Sequence, residues 1–136
     1  MVVLFDRFNL PEDVYEVVFA TKQQVIVARL LVDMIKEKNS EITKTEMSFF
    51  ATQLHEGKLV TDKIQEEPYR GKRVKISYNK RQFYDRILTP MKSMGIIDYD
   101  LYKKTYRLSD KFNKEMIRIG LMWLKELRKD PYMIEK

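Results

Sequence analysis

The sequence predicts a mainly α-helical domain with a small β-hairpin, and three observations support this fold class. Four N-terminal capping patterns each precede a stretch of apolar residues at helical spacing. Two short stretches, 96–101 and 104–108, are rich in β-branched and aromatic residues and predict an antiparallel hairpin. The chain has 136 residues, 44% of them hydrophobic, and no internal repeat, so we expect one packed domain.

The first predicted helix belongs to an N-terminal extension that covers residues 1–20. Asn9, Pro11 and Glu12 combine a cap, a first-turn proline and a capping-box acid. The helix that they open is expected to be short and to reach about Phe19.

The second predicted helix follows the capping box Thr21–Gln24 and runs to about Lys38. Its apolar residues recur at the 3, 4, 7 spacing of a stripe that faces a core. The stripe contains Val25, Ala28, Leu31, Val32 and Ile35. We therefore expect this helix to be central in the domain core, residues 21–108.

The third predicted helix, residues 44–55, follows a third capping box at Thr43 and Glu46. Ile42 and Met47 stand where a hydrophobic staple requires them. The preceding residues 41–42 are expected to pair briefly as a strand.

Residues 57–78 are the least regular part of the chain, because charged residues, a proline and a glycine interrupt any periodicity. We expect a mobile loop that ends in a short strand at 74–78. Loops of this length are uncommon in compact domains and are often functional.

The fourth predicted helix, residues 79–94, begins at a capping box formed by Asn79 and Gln82. Pro90 removes one backbone hydrogen bond, so we expect a kink or a break there. Gly95 supplies the C-terminal stop.

The last predicted helix, from Asp110 to about Lys129, lies in the C-terminal segment 109–136 and is capped by Ser109. Its apolar residues form two stripes. The first stripe is Met116, Ile119, Trp123 and Leu127, and the second stripe is Ile117, Leu121 and Leu124. We expect the first stripe to close over the hairpin and the second helix. The second stripe would stay in water in a monomer, so we expect a homodimer in which it pairs with the same helix of a second copy.

The order helix, short strand, helix, helix and hairpin resembles the winged helix-turn-helix family across residues 21–129. The match is strongest in 83–97, where a helix ends at a methionine-rich turn, Gly95 and an apolar pair. It continues in 106–110, a Tyr-x-Leu-Ser-like segment before a closing helix. Many prokaryotic, and especially archaeal, transcriptional regulators share this pattern.

The resemblance implies a winged helix-turn-helix fold with additional N- and C-terminal helices. It implies a recognition helix at about 79–94 and a wing at about 96–108. The chain departs from the family in the long link between its third and fourth helices and in Pro90. The expected function is that of a DNA-binding transcriptional regulator.

All of the net positive charge is concentrated in residues 70–86. The chain carries +6 in total, and this window alone holds seven basic residues and one acidic residue. Such a concentration creates a directed field for a polyanion and, with the resemblance, predicts double-stranded DNA as the partner. The candidate DNA contacts are Arg70, Lys72, Arg73, Lys75, Lys80, Arg81, Gln82, Arg86, Thr89 and, at the tip of the wing, Lys103 and Lys104.

Two other functions remain open at this stage. Winged helices also serve as protein–protein adaptor modules in replication and transcription machinery, with a basic window facing an acidic partner. A single-stranded nucleic-acid binder is the third possibility, with Tyr69, Tyr78 and Phe83 stacking on bases between the cations.

The residue types argue against catalysis and against metal binding. The chain contains no cysteine, which excludes disulfides and thiol chemistry. His55, the only histidine, is expected to be a surface or capping residue, because metal sites need several clustered ligands. Nucleotide-binding and hydrolase motifs are absent. We therefore expect no enzyme activity, no metal and no cofactor, while a small-molecule effector stays unknown.

The chain shows neither a membrane-spanning pattern nor the pattern of a secretory signal. Its longest apolar run is interrupted by Arg29 and falls well short of the ~20 residues of a membrane span. The N-terminal apolar stretch has no basic region before it. We therefore expect a cytoplasmic protein.

Overall fold

The computed structural model describes residues 7–62, 64, 67 and 69–132. The predicted segments include residues outside this range: 1–6 of the N-terminal extension, 63, 65, 66 and 68 of the loop, and 133–136 of the C-terminal segment. The helices are α1 Val14–Val18, α2 Lys22–Glu37, α3 Lys44–His55, α4 Lys80–Phe83, α5 Thr89–Ser93 and α6 Lys111–Leu127, with a π-helical segment at Tyr84–Leu88. The strands are β1 Glu41–Thr43, β2 Leu59–Thr61, β3 Val74–Ile76, β4 Ile97–Asp100 and β5 Thr105–Leu108.

The protein is mainly helical, with about 52% of its residues in helices and two small antiparallel sheets. One sheet has the order β1-β5-β4, in which Ile42 pairs with Tyr106 and Tyr99 pairs with Tyr106 from the other side. The predicted hairpin and the predicted short strand before α3 are therefore confirmed, and they belong to the same sheet.

The core is built around α2. Val27, Leu31 and Ile35 are fully buried on it, and the helix begins at the predicted capping box of Thr21 and Gln24. The capping box of α3 is also present, and its two staple residues are buried: Ile42 and Met47. The buried residues of each helix recur at spacings of three and four residues. Each helix therefore places one continuous apolar face against the sheet and the later helices.

The first helix is shorter than predicted. Asp13 is its N-cap, and its carboxylate accepts the Tyr15 N–H at 2.9 Å. Pro11 therefore precedes the helix instead of occupying its first turn. The cap lies at Asp13 because this carboxylate also pairs with Arg29 of α2, a tertiary contact that the local pattern does not contain.

A strand in the predicted loop was missed. Leu59–Thr61 forms β2 and pairs antiparallel with β3, so that the segment predicted as a loop with one strand contains two paired strands. We call these two strands and the described residues between them the basic hairpin. Its two strands are separated by twelve residues, which is too far for a local turn pattern to predict the pairing.

Gly95 joins three elements: α5, the hairpin β4–β5 and α6. Its φ of +81° favours glycine, and the following Ile96 N–H closes the helix end on the Met91 carbonyl at 2.9 Å. The Gly95 carbonyl accepts the Phe112 N–H at 3.1 Å. A Cβ at Gly95 would lie 2.9 Å from the Lys111 Cβ. The predicted helix stop is therefore also the point at which α6 is attached.

Beyond this junction α6 leaves the body of the domain. Phe112 is half-buried, whereas every residue from 113 to 127 is exposed, including Trp123 at 63%. The expectation that the first stripe closes over the hairpin and α2 is therefore wrong. The contacts at Gly95 orient only the first turn of α6, and the helix then continues past the body, so both stripes face solvent.

Candidate nucleic-acid interface

The N-terminus of α4 is fixed by two side-chain acceptors. Asn79 Oδ1 accepts the Gln82 N–H at 3.1 Å, and His55 Nδ1 accepts the Lys80 N–H at 3.1 Å. Lys80 also donates from Nζ to the Thr52 hydroxyl at 2.9 Å. His55, which was expected to be a surface or capping residue at the end of α3, thus accepts an N–H at the start of α4, and Lys80 is anchored on α3 instead of extending into solvent.

A π-helical turn takes the place of the predicted interruption at Pro90 and lies just before it. The Thr89 N–H donates to the carbonyl of Tyr84, five residues earlier, and the helix continues past Pro90. We call residues 80–93 the composite helix. Three of its apolar residues, four positions apart, are fully buried: Phe83, Ile87 and Met91. In a regular α-helix, the directions of side chains four positions apart differ by about 40°. The wider π turn offsets this difference and keeps the three side chains on one buried line.

The opposite side of the composite helix is an exposed polar surface, which we call the basic face. It consists of Arg81, Gln82, Asp85, Arg86, Thr89 and Lys92. Four of the predicted DNA contacts therefore share this surface. The Arg81 Nε lies 3.8 Å from Asp85 Oδ2, and both side chains are largely exposed, so this pair is weak. The Arg81 guanidinium is consequently accessible for bidentate contact with an acceptor pair.

Lys92, which is not among the predicted DNA contacts, extends the basic face toward the hairpin β4–β5. Its Nζ lies 6.0 Å from the ring centres of both Tyr99 and Tyr106, which are paired across β4 and β5. This cation–π contact ties the helix to the hairpin. The helical spacing after Thr89 already placed Lys92 on the polar side, so the pattern contained the information.

The tip of the hairpin β4–β5 is an exposed turn shaped by Asp100. Asp100 Oδ1 accepts the N–H groups of Lys103 at 3.1 Å and Tyr102 at 2.9 Å. These hydrogen bonds, first the one from Lys103, hold the pKa of the Asp100 carboxyl below its usual range. Lys103 and Lys104 are exposed beside Tyr102, which is 98% exposed. The tip thus presents two cations and an aromatic ring, and the ring was not predicted as a site residue.

The basic hairpin carries the four remaining predicted contacts, all of them exposed: Arg70, Lys72, Arg73 and Lys75. The hairpin is held on the start of α2, where Gln23 Nε2 donates to the Ser77 carbonyl at 3.2 Å and Lys22 Nζ donates to the Glu67 carbonyl. Because β3 ends four residues before α4 begins, the hairpin adjoins the N-terminal end of the basic face.

Two of the three aromatic residues considered for base stacking are in the core. Tyr78 and Phe83 are buried, and the Phe83 ring centre lies 5.6 Å from that of Phe50. The stacking role considered for these two residues is therefore wrong, and they pack instead at the start of the composite helix. Tyr69 is exposed but has no second exposed ring from that set beside it.

No protein-family model, curated protein or solved structure matches this chain with significance. Among the residues that the structure describes, no helix has both the length and the apolarity of a membrane span. Within the same residues, no group of three or more histidine or acidic side chains is arranged to hold a metal ion.

Proposed function

We propose that this chain is a winged-helix transcriptional regulator that binds double-stranded DNA as a homodimer. The observation that carries the proposal is the basic face, because it combines accessible arginine and amide groups on a helix with a buried opposite side. The window 70–86, with seven basic residues and one acidic residue, contains the cations of the basic hairpin and the N-terminal part of this face. The function requires no catalytic step, no metal and no cofactor, and it is exerted in the cytoplasm.

The topology supports the winged-helix part of the proposal. A helix, a strand, two further helices and a hairpin follow one another, and β1 pairs with the second strand of that hairpin. The composite helix is then the recognition helix, and the hairpin β4–β5 is the wing. The basic hairpin is an insertion between the second and third helices of this arrangement.

The chemistry of the basic face fits a major groove. An exposed helix can enter this groove, in which Arg reads the guanine O6/N7 pair and Gln reads the adenine N6/N7 pair. Arg81 and Gln82 lie at the N-terminal end of the composite helix, which is the end that contacts base edges in helix-turn-helix proteins. Arg86 and Thr89 follow along the same face. The exposed cations of the basic hairpin and Lys103–Lys104 at the tip of the hairpin β4–β5 are suited to phosphates.

The dimer part of the proposal rests on α6. Eight large apolar side chains of this helix are exposed, which is typical of a surface that contacts another protein. We assign Ile117, Leu121 and Leu124 to the contact with a second copy. Two recognition helices held in this way would read half-sites separated by about one turn of DNA, roughly 34–36 Å.

Titration with duplex DNA at two salt concentrations, with a single strand of the same sequence as control, tests this function. We expect tighter binding to the duplex and a steep loss of affinity with salt. Equal affinity for the single strand would contradict a groove-reading helix. Absence of binding to both nucleic acids would favour the adaptor function, in which the same cations meet an acidic protein.

A further inference from the structure

An open groove of about 620 Å³ lies between α2, α3 and β2, away from the basic face. Its apolar surface comes from Met34, Phe50, Val60 and Phe49, of which Phe49 is 64% exposed. A large exposed aromatic ring beside apolar neighbours marks a surface that binds a partner.

The rim of this groove is acidic. Asp33, Glu37, Glu46 and Asp62 line it, against one basic residue, Lys38. Lys38 Nζ lies 3.5 Å from Glu46, and the Thr43 N–H holds the pKa of Glu46 below its usual range, so this carboxylate is ionised. The groove therefore selects an apolar partner with basic residues along its edge. We call it the acidic groove.

The two apolar stripes of α6 differ in the charges beside them. With 100° per residue, the stripes are centred about 120° apart on the helix. Four basic residues flank the second stripe: Lys114, Arg118, Lys125 and Arg128. Two acidic residues flank the first stripe, namely Glu115 and Glu126. Only the second stripe thus has the charge that the acidic groove selects.

The same charges disfavour antiparallel pairing of two α6 helices through their second stripes. In a two-fold antiparallel pair, the basic edge of one helix would face the basic edge of the other, and like charges repel. A cover that is apolar and acidic complements the second stripe and its basic edge, and the acidic groove has both properties.

We infer that the second stripe of α6 docks into the acidic groove of a second copy, and that the exchange is reciprocal, so that both grooves of the dimer are filled. This inference rests on the proposed homodimer and names the surface that receives its interface residues. The basic residues beside Ile117, Leu121 and Leu124 then meet Asp33 and Asp62 of the other chain.

Charge reversal on either surface tests the inference. Asp62→Lys lies in the groove and Lys125→Glu lies beside the second stripe, and both positions are exposed, so the fold should persist, as circular dichroism can verify. Each single variant should raise the dimer dissociation constant about tenfold in sedimentation, because like charges then meet at both grooves. Phe49→Asp, also at an exposed position, provides a second variant that should weaken the dimer without any effect on a helix–helix seam.

Mixing the two charge variants provides the decisive measurement. In a heterodimer, one groove contains the reversed pair and the other contains the natural pair, so the mixture should associate about tenfold more tightly than either variant alone. Glu12→Lys, which makes the same charge change outside the groove, is the matched control and should show no such preference.

Three results would overturn the inference. Single variants that dimerise like the natural chain, or a mixture without preference for the heterodimer, would refute docking into the acidic groove but not the proposed homodimer. A natural chain that stays monomeric at all concentrations would refute the homodimer as well. The DNA titration is read separately, so failure of the regulator proposal is distinguished from failure of the docking.

Discussion

The composite helix and α6 are both amphipathic, but only the composite helix has its apolar side covered within one chain. Ile87 of the composite helix is fully buried, whereas Ile117 of α6 is 60% exposed. The composite helix is held at its start by His55 and at its end by Gly95, while α6 is held at its first turn alone. An apolar stripe thus requires a cover but does not specify which chain provides it.

Truncation of one isoleucine in each helix should give the largest difference between the composite helix and α6. Ile87→Ala should lower the free energy of unfolding by about 2–5 kcal/mol, because it leaves a cavity in a packed core. Ile117→Ala should change it by less than about 0.5 kcal/mol when the chain is dilute and monomeric, because the side chain contacts mainly water. Urea denaturation of both variants measures the difference. Equal losses would mean that α6 packs on its own domain.

The two glycines of these segments provide the next contrast. Gly95→Ala should cost about 2–4 kcal/mol of unfolding free energy, since alanine at a positive φ is strained and its Cβ meets the first turn of α6. Gly120 is in the middle of α6 with open space around it, so Gly120→Ala should stabilise the monomer by about 0.5–1 kcal/mol. Thermal unfolding in dilute solution checks both values. A tolerant Gly95 would contradict the role of this residue as the junction.

Helix starts could be predicted from the sequence because their causes are local. Thr21 and Thr43 each accept a hydrogen bond from a residue three positions on, and the capping-box pattern contains both partners. The same holds for Asn79, so the position of the candidate site on the chain was predictable as well. The start of this helix and helical spacing together predict the four candidate DNA contacts that lie on the basic face.

The features that could not be predicted depend on contacts between distant residues. Asp13 becomes a cap while it pairs with Arg29 sixteen positions later, and β2 exists because β3 returns to pair with it. The π turn before Pro90 depends on the line of buried side chains against the core. The sequence also could not predict whether α6 packs on its own domain. The periodicity of apolar residues shows that one face of a helix is apolar, but it does not show which surface covers that face.

The second stripe of α6 is predicted to form the dimer contact. Leu121→Glu combined with Leu124→Glu should raise the dimer dissociation constant at least about a hundredfold, or 2.7 kcal/mol, because two carboxylates would enter an apolar contact. The variant should stay folded, since both side chains are exposed in the monomer. Met122→Glu, an exposed apolar position outside both stripes, is the control. Light scattering measures the mass, and a double variant that remains dimeric would refute this interface.

On the composite helix, the exposed side is predicted to be the one that reads DNA. Arg81→Ala and Arg86→Ala should each weaken binding to a preferred duplex by about 1–3 kcal/mol, and random duplex by less, because a bidentate base contact is lost. Arg7→Ala, an exposed arginine of the N-terminal extension, is the matched control and should leave both affinities unchanged. Equal losses on all sequences would assign the two arginines to phosphates instead.

The smallest effect on sequence preference is expected from the basic hairpin, whose cations lie outside the basic face. Replacing Lys72, Arg73 and Lys75 by alanine should make the slope of log affinity against log salt less steep by up to about 2.7, since each phosphate contact contributes about 0.9. The ratio of preferred to random binding should not change, because phosphates are alike in every sequence. Arg81→Ala provides the contrast, as it should alter that ratio and change the slope by at most about 0.9. A triple variant with an unchanged slope would show that the hairpin points away from DNA, and the composite helix would then bind without this support.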